Sequence, residues 1–170
     1  MTDRLCEVSD CVYVSSCGTA SDENILKGHG ITHIVDATFE AGGTISEENR
    51  GNRVVLRLQL KDRPDENITR VLPRAIYFVE VAVRNGGRVL IYCEKGVSRS
   101  GAIAVAYIMK TRNVDVNEAL RLARLSRPEI SPNSGFIANL TGWYQAGMYM
   151  GSYDAPFSAL LSQKPHMPPS

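Results

Sequence analysis

The sequence is poor in the features that mark specialised classes of protein. Its 170 residues include only four cysteines and eight prolines, and its longest apolar run is Ala102 to Met109. This composition argues against disulfide scaffolds and collagen-like chains, and the run is far shorter than the roughly 20 residues of a membrane-spanning helix. Nineteen Lys and Arg oppose eighteen Asp and Glu, so the basic excess typical of nucleic-acid binding is missing. We expect a folded domain whose partner is neither nucleic acid nor a membrane.

The cysteines do not form a metal-binding or disulfide pattern. Cys6, Cys11 and Cys17 lie near the N-terminus, far from Cys93, and no pair has the CxxC spacing of zinc sites. The first residues, MTDRLCEV, contain neither the apolar core of a secretion signal nor a glycine for myristoylation. We therefore expect a cytosolic or nuclear protein with reduced thiols, no bound metal and no other cofactor.

Short apolar segments alternate with amphipathic ones along the chain. The patterns predict strands at residues 11–16, 32–37, 53–60 and 89–92. They predict helices at residues 21–27, 69–85, 99–111, 115–125 and 134–148, and a loop at 41–52. Such alternation is typical of an α/β domain with a central, mostly parallel sheet flanked by helices. We place one domain at residues 8–150, followed by a tail at 151–170 whose composition favours partial disorder.

The segment CEKGVSRSG, from Cys93 to Gly101, combines an anion site with a nucleophile. It follows an apolar strand and leads into a helix near Arg99, and the free backbone N–H groups of a helix N-terminus attract anions. Gly96 permits the tight curl of the loop, and the guanidinium of Arg99 can hold two phosphate oxygens at once. The same positive field favours the thiolate form of Cys93. The segment thus predicts a phosphate cradle that carries its own nucleophile.

This segment resembles the signature of the cysteine-dependent protein phosphatases, in which a cysteine, five residues and an arginine precede Ser or Thr. Cys93, Arg99 and Ser100 match it. The resemblance extends to the small dual-specificity phosphatases through VSDCVYVSSCGTASDENILKGHGITHIVDAT, KGVSRSGAIAVAYIMK and SRPEISPNSGFIANL, which fall in the family's order. It covers Val8 to Tyr149 and implies the dual-specificity phosphatase fold. Because we expect no kinase-docking domain upstream, the chain resembles the atypical, single-domain type.

The resemblance also implies a mechanism and a substrate. Cys93 would attack phosphorus to form a phosphocysteine, and Asp62, at the place of the family's acid, would protonate the leaving oxygen and later activate water. Ser100 would donate a hydrogen bond to the sulfur, and Asn133 would brace the loop. The substrate would be a phosphoprotein bearing phosphotyrosine and also phosphoserine or phosphothreonine. Its phosphate would contact the loop residues, which are Glu94, Lys95, Gly96, Val97, Ser98 and Arg99.

Two positions leave alternatives open. Asp65 lies near Asp62 and is a second candidate for the acid. Tyr92 stands where the family usually has His, which removes a hydrogen-bonding group beside the nucleophile, so we expect reduced or altered activity. The alternative function is therefore a catalytically weak or inactive module that binds phosphoproteins. The presence of Cys93, Arg99 and Asp62 argues against it.

Two other enzyme classes match the loop less well, and three other polar residues are interpreted as structural. Rhodanese-like sulfur transferases usually have one residue fewer between the cysteine and the arginine. Phosphatases of lipids or RNA often have more basic loops, whereas this loop contains Lys95 and the acidic Glu94. We interpret Asp36 as structural, and His29 and His33 as packing or surface residues. The oligomeric state cannot be read from the sequence.

Overall fold

The centre of the protein is a five-stranded sheet. The computed structural model describes residues 3–40 and 45–148. The strands are β1 (Cys6–Ser9), β2 (Val12–Ser16), β3 (His33–Asp36), β4 (Val54–Arg57) and β5 (Val89–Cys93), in the spatial order β1-β2-β5-β3-β4. β1 pairs with β2 in antiparallel fashion, and the other three pairings are parallel. The predicted α/β fold with a mostly parallel central sheet is confirmed.

Helices pack around this sheet. In the described ranges they are α1 (Cys17–Ala20), α2 (Glu23–Gly28), α3 (Glu47–Arg50), α4 (Leu72–Arg84), α5 (Arg99–Arg112), α6 (Val116–Ser126) and α7 (Ser134–Gln145), together with a 3-10 helix at Ile68–Arg70. α5 is buried from Arg99 to Met109 and packs against α4, α6 and α7, which makes it the central helix of the domain. None of these helices combines the length and the apolar character needed to cross a bilayer.

Polar side chains cap the starts of several helices. The carboxylate of Asp115 accepts a hydrogen bond from the backbone N–H of Glu118 at 2.9 Å and so caps α6. Asp22 does the same for the first turn of α2. Pro73 lies in the first turn of α4, where a missing N–H costs no helical hydrogen bond. Local chemistry thus determines where these helices begin.

Several predicted boundaries are wrong, and each has a physical reason. The strand predicted over 53–60 ends at Arg57, because Gln59 has a left-handed φ of 49° that interrupts the extended backbone. The loop predicted over 41–52 contains the single turn of α3, and β1 lies where the pattern predicts no strand. The helix predicted over 134–148 ends at Gln145, just before Gly147 with its φ of 74°. The tail predicted at 151–170 lies outside the described residues.

The sheet separates two apolar cores. Because side chains alternate along a strand, Ile91 and Cys93 of β5 belong to the larger core, whereas Leu90 and Tyr92 belong to the smaller one. β2, β3 and β5 run parallel, so their carboxyl ends meet at one edge of the sheet, where Cys93 lies opposite Ser16. This edge is where open α/β sheets bind ligands.

Candidate active site

A tight loop connects the end of β5 to the first turn of α5. Gly96 lies in the middle of this loop with a φ of 67°, and a Cβ added there would lie 2.6 Å from the carbonyl carbon of Ser15 and 2.6 Å from Nη2 of Arg127. Glycine is therefore required by both conformation and space. Ser98, which precedes α5, makes no side-chain capping bond. The N–H groups of this helix start are thus left for an incoming anion.

The candidate nucleophile lies at the base of the loop beside a hydroxyl. Sγ of Cys93 is 3.0 Å from Oγ of Ser100, and both residues are buried. A serine hydroxyl at this distance can donate a hydrogen bond to a thiolate. The contact predicted between Ser100 and the sulfur is therefore present in the structure.

The guanidinium of Arg99 is buried and is anchored through one of its terminal nitrogens. Nη1 donates to the backbone oxygen of Leu60 at 3.3 Å, and Nη2 lies 3.6 Å from the carboxylate of Glu94. Nε is buried and has no hydrogen-bond partner within the described part of the chain. Buried charged donors rarely stay unpaired, because an unmade hydrogen bond costs about 1–3 kcal/mol or more. A phosphate bound beside Arg99 would supply the acceptor that this nitrogen lacks.

The carboxylate of Asp62 is held over the loop by two donors. Oγ of Ser98 donates to Oδ1 of Asp62 at 2.7 Å, and Nδ2 of Asn133 donates to the same oxygen at 3.0 Å. Oδ1 of Asn133 in turn accepts from the backbone N–H of Phe136 and so caps α7. Asn133 thus fixes both the helix start and the carboxylate. The backbone N–H of Asn133 also donates to Oγ of Ser98 at 3.0 Å, so a contact with the loop, as the family resemblance implies, is present.

Asp65, the alternative acid, lies elsewhere. Its carboxylate forms a two-pronged pair with Arg63, at 2.9 and 3.0 Å, and its side chain is 70 % exposed. Asp62, by contrast, lines the same cavity as Cys93. Of the two candidate carboxylates, Asp62 is thus the one that shares a cavity with Cys93.

These side chains surround one cavity of about 430 Å³ at the carboxyl edge of the sheet. Seven predicted residues line it, namely Asp62, Cys93, Glu94, Lys95, Val97, Ser98 and Arg99, and Asn133 and Ser131 complete the wall. The backbone oxygen of Gly96 accepts a hydrogen bond from Arg127, and Ser100 lies beside the sulfur. These two predicted residues are therefore adjacent to the cavity but not part of its lining. The structure thus assembles the predicted residues from three separate stretches of chain.

Sequence reasoning missed two residues of this region. The backbone N–H of Ser131 donates to the oxygen of Val97 at 3.0 Å, which ties the loop to the segment before α7. Arg127 lies beneath the loop and donates to the backbone oxygen of Gly96 at 2.8 Å. Both residues belong to SRPEISPNSGFIANL, a segment that carries the family resemblance. The family resemblance of that segment could have pointed to both residues, but it did not assign a role to either.

The residues interpreted as structural lie away from the cavity. Asp36 is 2 % exposed, accepts two hydrogen bonds from Thr38, and pairs with Arg57 at 3.2 Å. His33 packs edge-on against Phe78 with ring centroids 5.6 Å apart, and burial lowers the pKa of its imidazole below the ordinary value of 6.5. These contacts support the fold rather than the site.

Comparison of the sequence with known proteins identifies relatives of this chain. The family model for the catalytic domain of dual specificity phosphatases matches residues 12–146. Similar proteins include Dual specificity protein phosphatase 1 of Arabidopsis thaliana, 33% identical over 129 residues, which are 76% of this chain and 63% of that protein. Dual specificity protein phosphatase 19 of Mus musculus is 31% identical over 136 residues, which are 80% of this chain and 60% of that protein. The chain therefore spans less than two thirds of these two relatives.

Solved structures agree with the sequence comparison. The crystal structure of the human tyrosine phosphatase-like serine/threonine/tyrosine-interacting protein has a TM-score of 0.78 and 30% identity, and the match covers 85% of this chain and 98% of that chain. The crystal structure of human DUSP28 has a TM-score of 0.76 and 29% identity, with coverage of 85% and 95%. Since the family model covers most of the chain and includes the whole cavity, the chain belongs to the dual specificity phosphatase family of the protein tyrosine phosphatase superfamily.

Proposed function

We propose that this protein hydrolyses phosphate monoesters of phosphoproteins through a phosphocysteine intermediate. The observation that carries the proposal is that Arg99, whose buried Nε has no hydrogen-bond partner among the described residues, lines the same cavity as Cys93. A phosphate bound to this nitrogen and to the N–H groups at the start of α5 would have its phosphorus beside Sγ of Cys93. Family membership supports the same chemistry.

In the first step, the thiolate of Cys93 forms a bond to phosphorus while the bond from phosphorus to the leaving oxygen breaks. Asp62 gives its proton to that oxygen, which departs as an alcohol or phenol. Both hydrogen bonds that hold Asp62 fall on Oδ1, so Oδ2 is the oxygen that would carry the proton. Arg99 and the loop amides stabilise the negative charge that develops on the phosphoryl oxygens.

In the second step, ionised Asp62 takes a proton from water, whose oxygen bonds to phosphorus. The bond from phosphorus to sulfur breaks, and inorganic phosphate leaves. The hydroxyl of Ser100, 3.0 Å from the sulfur, donates to the departing thiolate and makes it a better leaving group. Because Asp62 must be protonated first and ionised later, the rate should follow a bell-shaped dependence on pH.

We propose phosphotyrosine in proteins as the first substrate and phosphoserine and phosphothreonine as further ones, in a cytosolic or nuclear location. The charges at the cavity support a peptide substrate over a strongly anionic lipid headgroup. Lys95 and Arg99 are balanced there by Glu94 and Asp62, so the lining has no basic excess. A headgroup bearing several phosphates would instead favour a surplus of cations.

The test is hydrolysis of para-nitrophenyl phosphate in the presence of a metal chelator. We expect turnover by the unmodified protein, inhibition by vanadate, and loss of turnover in Cys93→Ser. Asp62→Ala should reduce kcat about 100-fold, within the usual range for loss of a general acid. Asp65→Ala is the matched control, since Asp65 pairs with Arg63 outside the cavity, and its kcat should stay unchanged.

A different result would favour the phosphoprotein-binding module. Tyr92 in place of the usual histidine is the observation that supports this second candidate. Absence of turnover from about pH 5 to pH 8, together with binding of a phosphotyrosine peptide that Arg99→Ala abolishes, would overturn the catalytic proposal. A panel of peptides that differ only in phosphotyrosine, phosphoserine or phosphothreonine then establishes the preference.

A further inference from the structure

Arg127 lies where α6 ends, beneath the loop of residues 94–98, which we call the phosphate-binding loop. It is 5% exposed, and its guanidinium faces the backbone of the loop on the side away from the cavity. Nε donates to the oxygen of Gly96 at 2.8 Å, and Nη2 donates to the oxygen of Lys95 at 3.3 Å. Two consecutive carbonyl groups of the loop are therefore held by one rigid cation.

The planarity of the peptide bond gives this contact a consequence on the opposite side of the loop. In a trans peptide the C=O and N–H groups point in opposite directions. The carbonyl of Lys95 shares its peptide plane with the N–H of Gly96, and the carbonyl of Gly96 shares its plane with the N–H of Val97. When Arg127 holds both oxygens on the underside, both N–H groups are turned toward the upper side, where Val97 lines the cavity.

The left-handed φ of 67° at Gly96 makes such a restraint necessary. Glycine has no side chain to resist rotation, so the peptide units on either side of it can turn over more easily than elsewhere. A turned unit would point a carbonyl oxygen at the phosphate and replace attraction with repulsion. Arg127 opposes this rotation, because turning either unit would break a hydrogen bond to a buried guanidinium.

The N-terminal segment completes the surroundings of Arg127. Nη1 donates to the oxygen of Arg4 at 2.9 Å and lies 3.6 Å from Sγ of Cys6. Oδ1 of Asp3 lies 3.8 Å from Nη2, while Oδ2 accepts hydrogen bonds from Oγ of Ser16 and from the backbone N–H of Thr19. A buried cation needs such compensation, and Asp3 is the carboxylate that supplies it.

The charge of Asp3 is maintained by its surroundings. Partial burial alone would raise the pKa of its carboxyl, but the hydrogen bonds from Ser16 and Thr19 and the charge of Arg127 together hold the pKa below its usual range. Asp3 also connects to the nucleophile through β2, because Ser16 lies opposite Cys93 in the sheet. The segment from Asp3 to Cys6 is thus packed against the back of the active site.

We propose that Arg127 is a positioning residue that turns the amides of the phosphate-binding loop toward the phosphate, and that Asp3 holds Arg127 in place. This role is distinct from that of Arg99, because Arg127 touches the loop backbone from behind and does not line the cavity. The N-terminal segment thereby belongs to the active site. The inference rests on the proposed function only in requiring that the loop binds a phosphate-like anion.

The first test compares Arg127→Gln with Arg127→Lys, using tungstate as the probe in calorimetry and para-nitrophenyl phosphate in kinetics. Arg127→Gln should weaken tungstate binding and raise KM by about tenfold or more, the cost of losing a charged hydrogen bond. Arg127→Lys keeps the charge without the planar fork, so it should recover part of the affinity. Arg121→Gln, on the exposed face of the same helix, is the control and should bind tungstate like the unmodified protein.

The second test is Asp3→Asn, with Asp10→Asn in the exposed turn after β1 as its control. Asp3→Asn should weaken tungstate binding in the same direction as Arg127→Gln but less, because Asp3 is 41% exposed and acts through Arg127. In the double variant Asp3→Asn/Arg127→Gln, the Asp3 change should have no additional effect. Additive effects of the two changes would show that Asp3 does not act through Arg127.

Melting temperatures separate positioning from general stability. All binding is measured well below the melting temperature of each variant, so that the folded form is compared. A lower melting temperature for Arg127→Gln together with unchanged tungstate affinity and unchanged KM would show a merely structural role and overturn the inference. If the unmodified protein binds tungstate without turnover, the catalytic proposal fails, while the binding comparison still tests Arg127.

Discussion

Glu94 is the acidic side chain of the phosphate-binding loop, and its carboxylate lies 3.6 Å from Nη2 of Arg99. A phosphate dianion that binds Arg99 must therefore approach a negative charge. Because the Glu94 side chain is 70% exposed, water screens much of this repulsion. At the scale of a single residue, Glu94 should tune affinity without deciding whether the loop binds phosphate.

Replacing Glu94 with glutamine removes this charge and keeps the shape. Glu94→Gln should lower KM for para-nitrophenyl phosphate about two- to fivefold, the range for an exposed charge pair, with kcat little changed. Steady-state kinetics at low salt gives the value, and added salt should reduce the difference. Glu118→Gln removes the partner of Arg121 on α6, at a side chain that is 41% exposed, and should leave KM unchanged. An increase in KM for Glu94→Gln would mean that Glu94 instead helps to orient Arg99.

Tyr92 is fully buried in the smaller core, on the face of β5 opposite the nucleophile. Tyr92→His introduces the imidazole that most family members have before the cysteine. We expect kcat/KM to rise about tenfold, equivalent to one added charge-assisted hydrogen bond to the loop. The melting temperature should fall, because the smaller ring leaves a void in the core. Tyr92→Phe is the control, and a similar gain in that variant would assign the effect to loss of the phenol.

At the scale of elements, the first turn of α7 packs directly on the loop that carries Asp62. A Cβ added at Gly135 would lie 1.9 Å from the backbone oxygen of Pro64, which no side-chain rotation can relieve. Gly135 therefore permits the close contact between α7 and the loop that carries Asp62. The position of Asp62 depends on how closely the helix and the loop approach each other.

Gly135→Ala should push the loop that carries Asp62 away from α7 and reduce general-acid catalysis by Asp62. We expect kcat to fall about tenfold or more for an alkyl phosphate, whose leaving group needs a proton, and less for para-nitrophenyl phosphate. Tungstate affinity should change little, because the loop after Cys93 is not displaced. Gly142→Ala in the same helix meets no atom within 4 Å and serves as the control. Equal losses for both substrates would contradict a specific effect on Asp62.

At the scale of the whole molecule, His33 links stability to pH. Burial lowers the pKa of His33 in the folded state below the 6.5 of the unfolded chain, so the unfolded state binds the proton more readily. The stabilisation is fully present above pH 6.5. It decreases as the pH falls through 6.5 toward the folded-state pKa.

We therefore expect the free energy of unfolding to decrease as the pH falls below 6.5, with part of the decrease removed by His33→Gln. Urea unfolding at several pH values measures this free energy. His29→Gln, at an exposed position, is the control and should keep the dependence of the unmodified protein. Identical curves for the unmodified protein and His33→Gln would exclude His33 as the source.

The parts of the molecule that were predictable are those built from neighbouring residues. The loop from Cys93 to Arg99 is contiguous, so its anion site and its nucleophile are visible in the sequence. The capping of α6 by Asp115 is equally local. β1 was not predictable, because its four residues are ordered by pairing with β2 rather than by their own pattern. The early end of β4 depends on the backbone of Gln59, which composition does not reveal.

The sequence by itself determined the α/β pattern, the contiguous loop from Cys93 to Arg99 and the family resemblance that predicts Asp62 as the acid. Local geometry and short-range hydrogen bonds carry this information, and both are encoded in adjacent residues. Only the tertiary structure decided that Asp62 lines the same cavity as Cys93 while Asp65 pairs with Arg63, and that Arg127 supports Gly96 from below. These contacts join residues distant in the chain, and their energies depend on burial and direction, which exist only after the sheet and helices have packed.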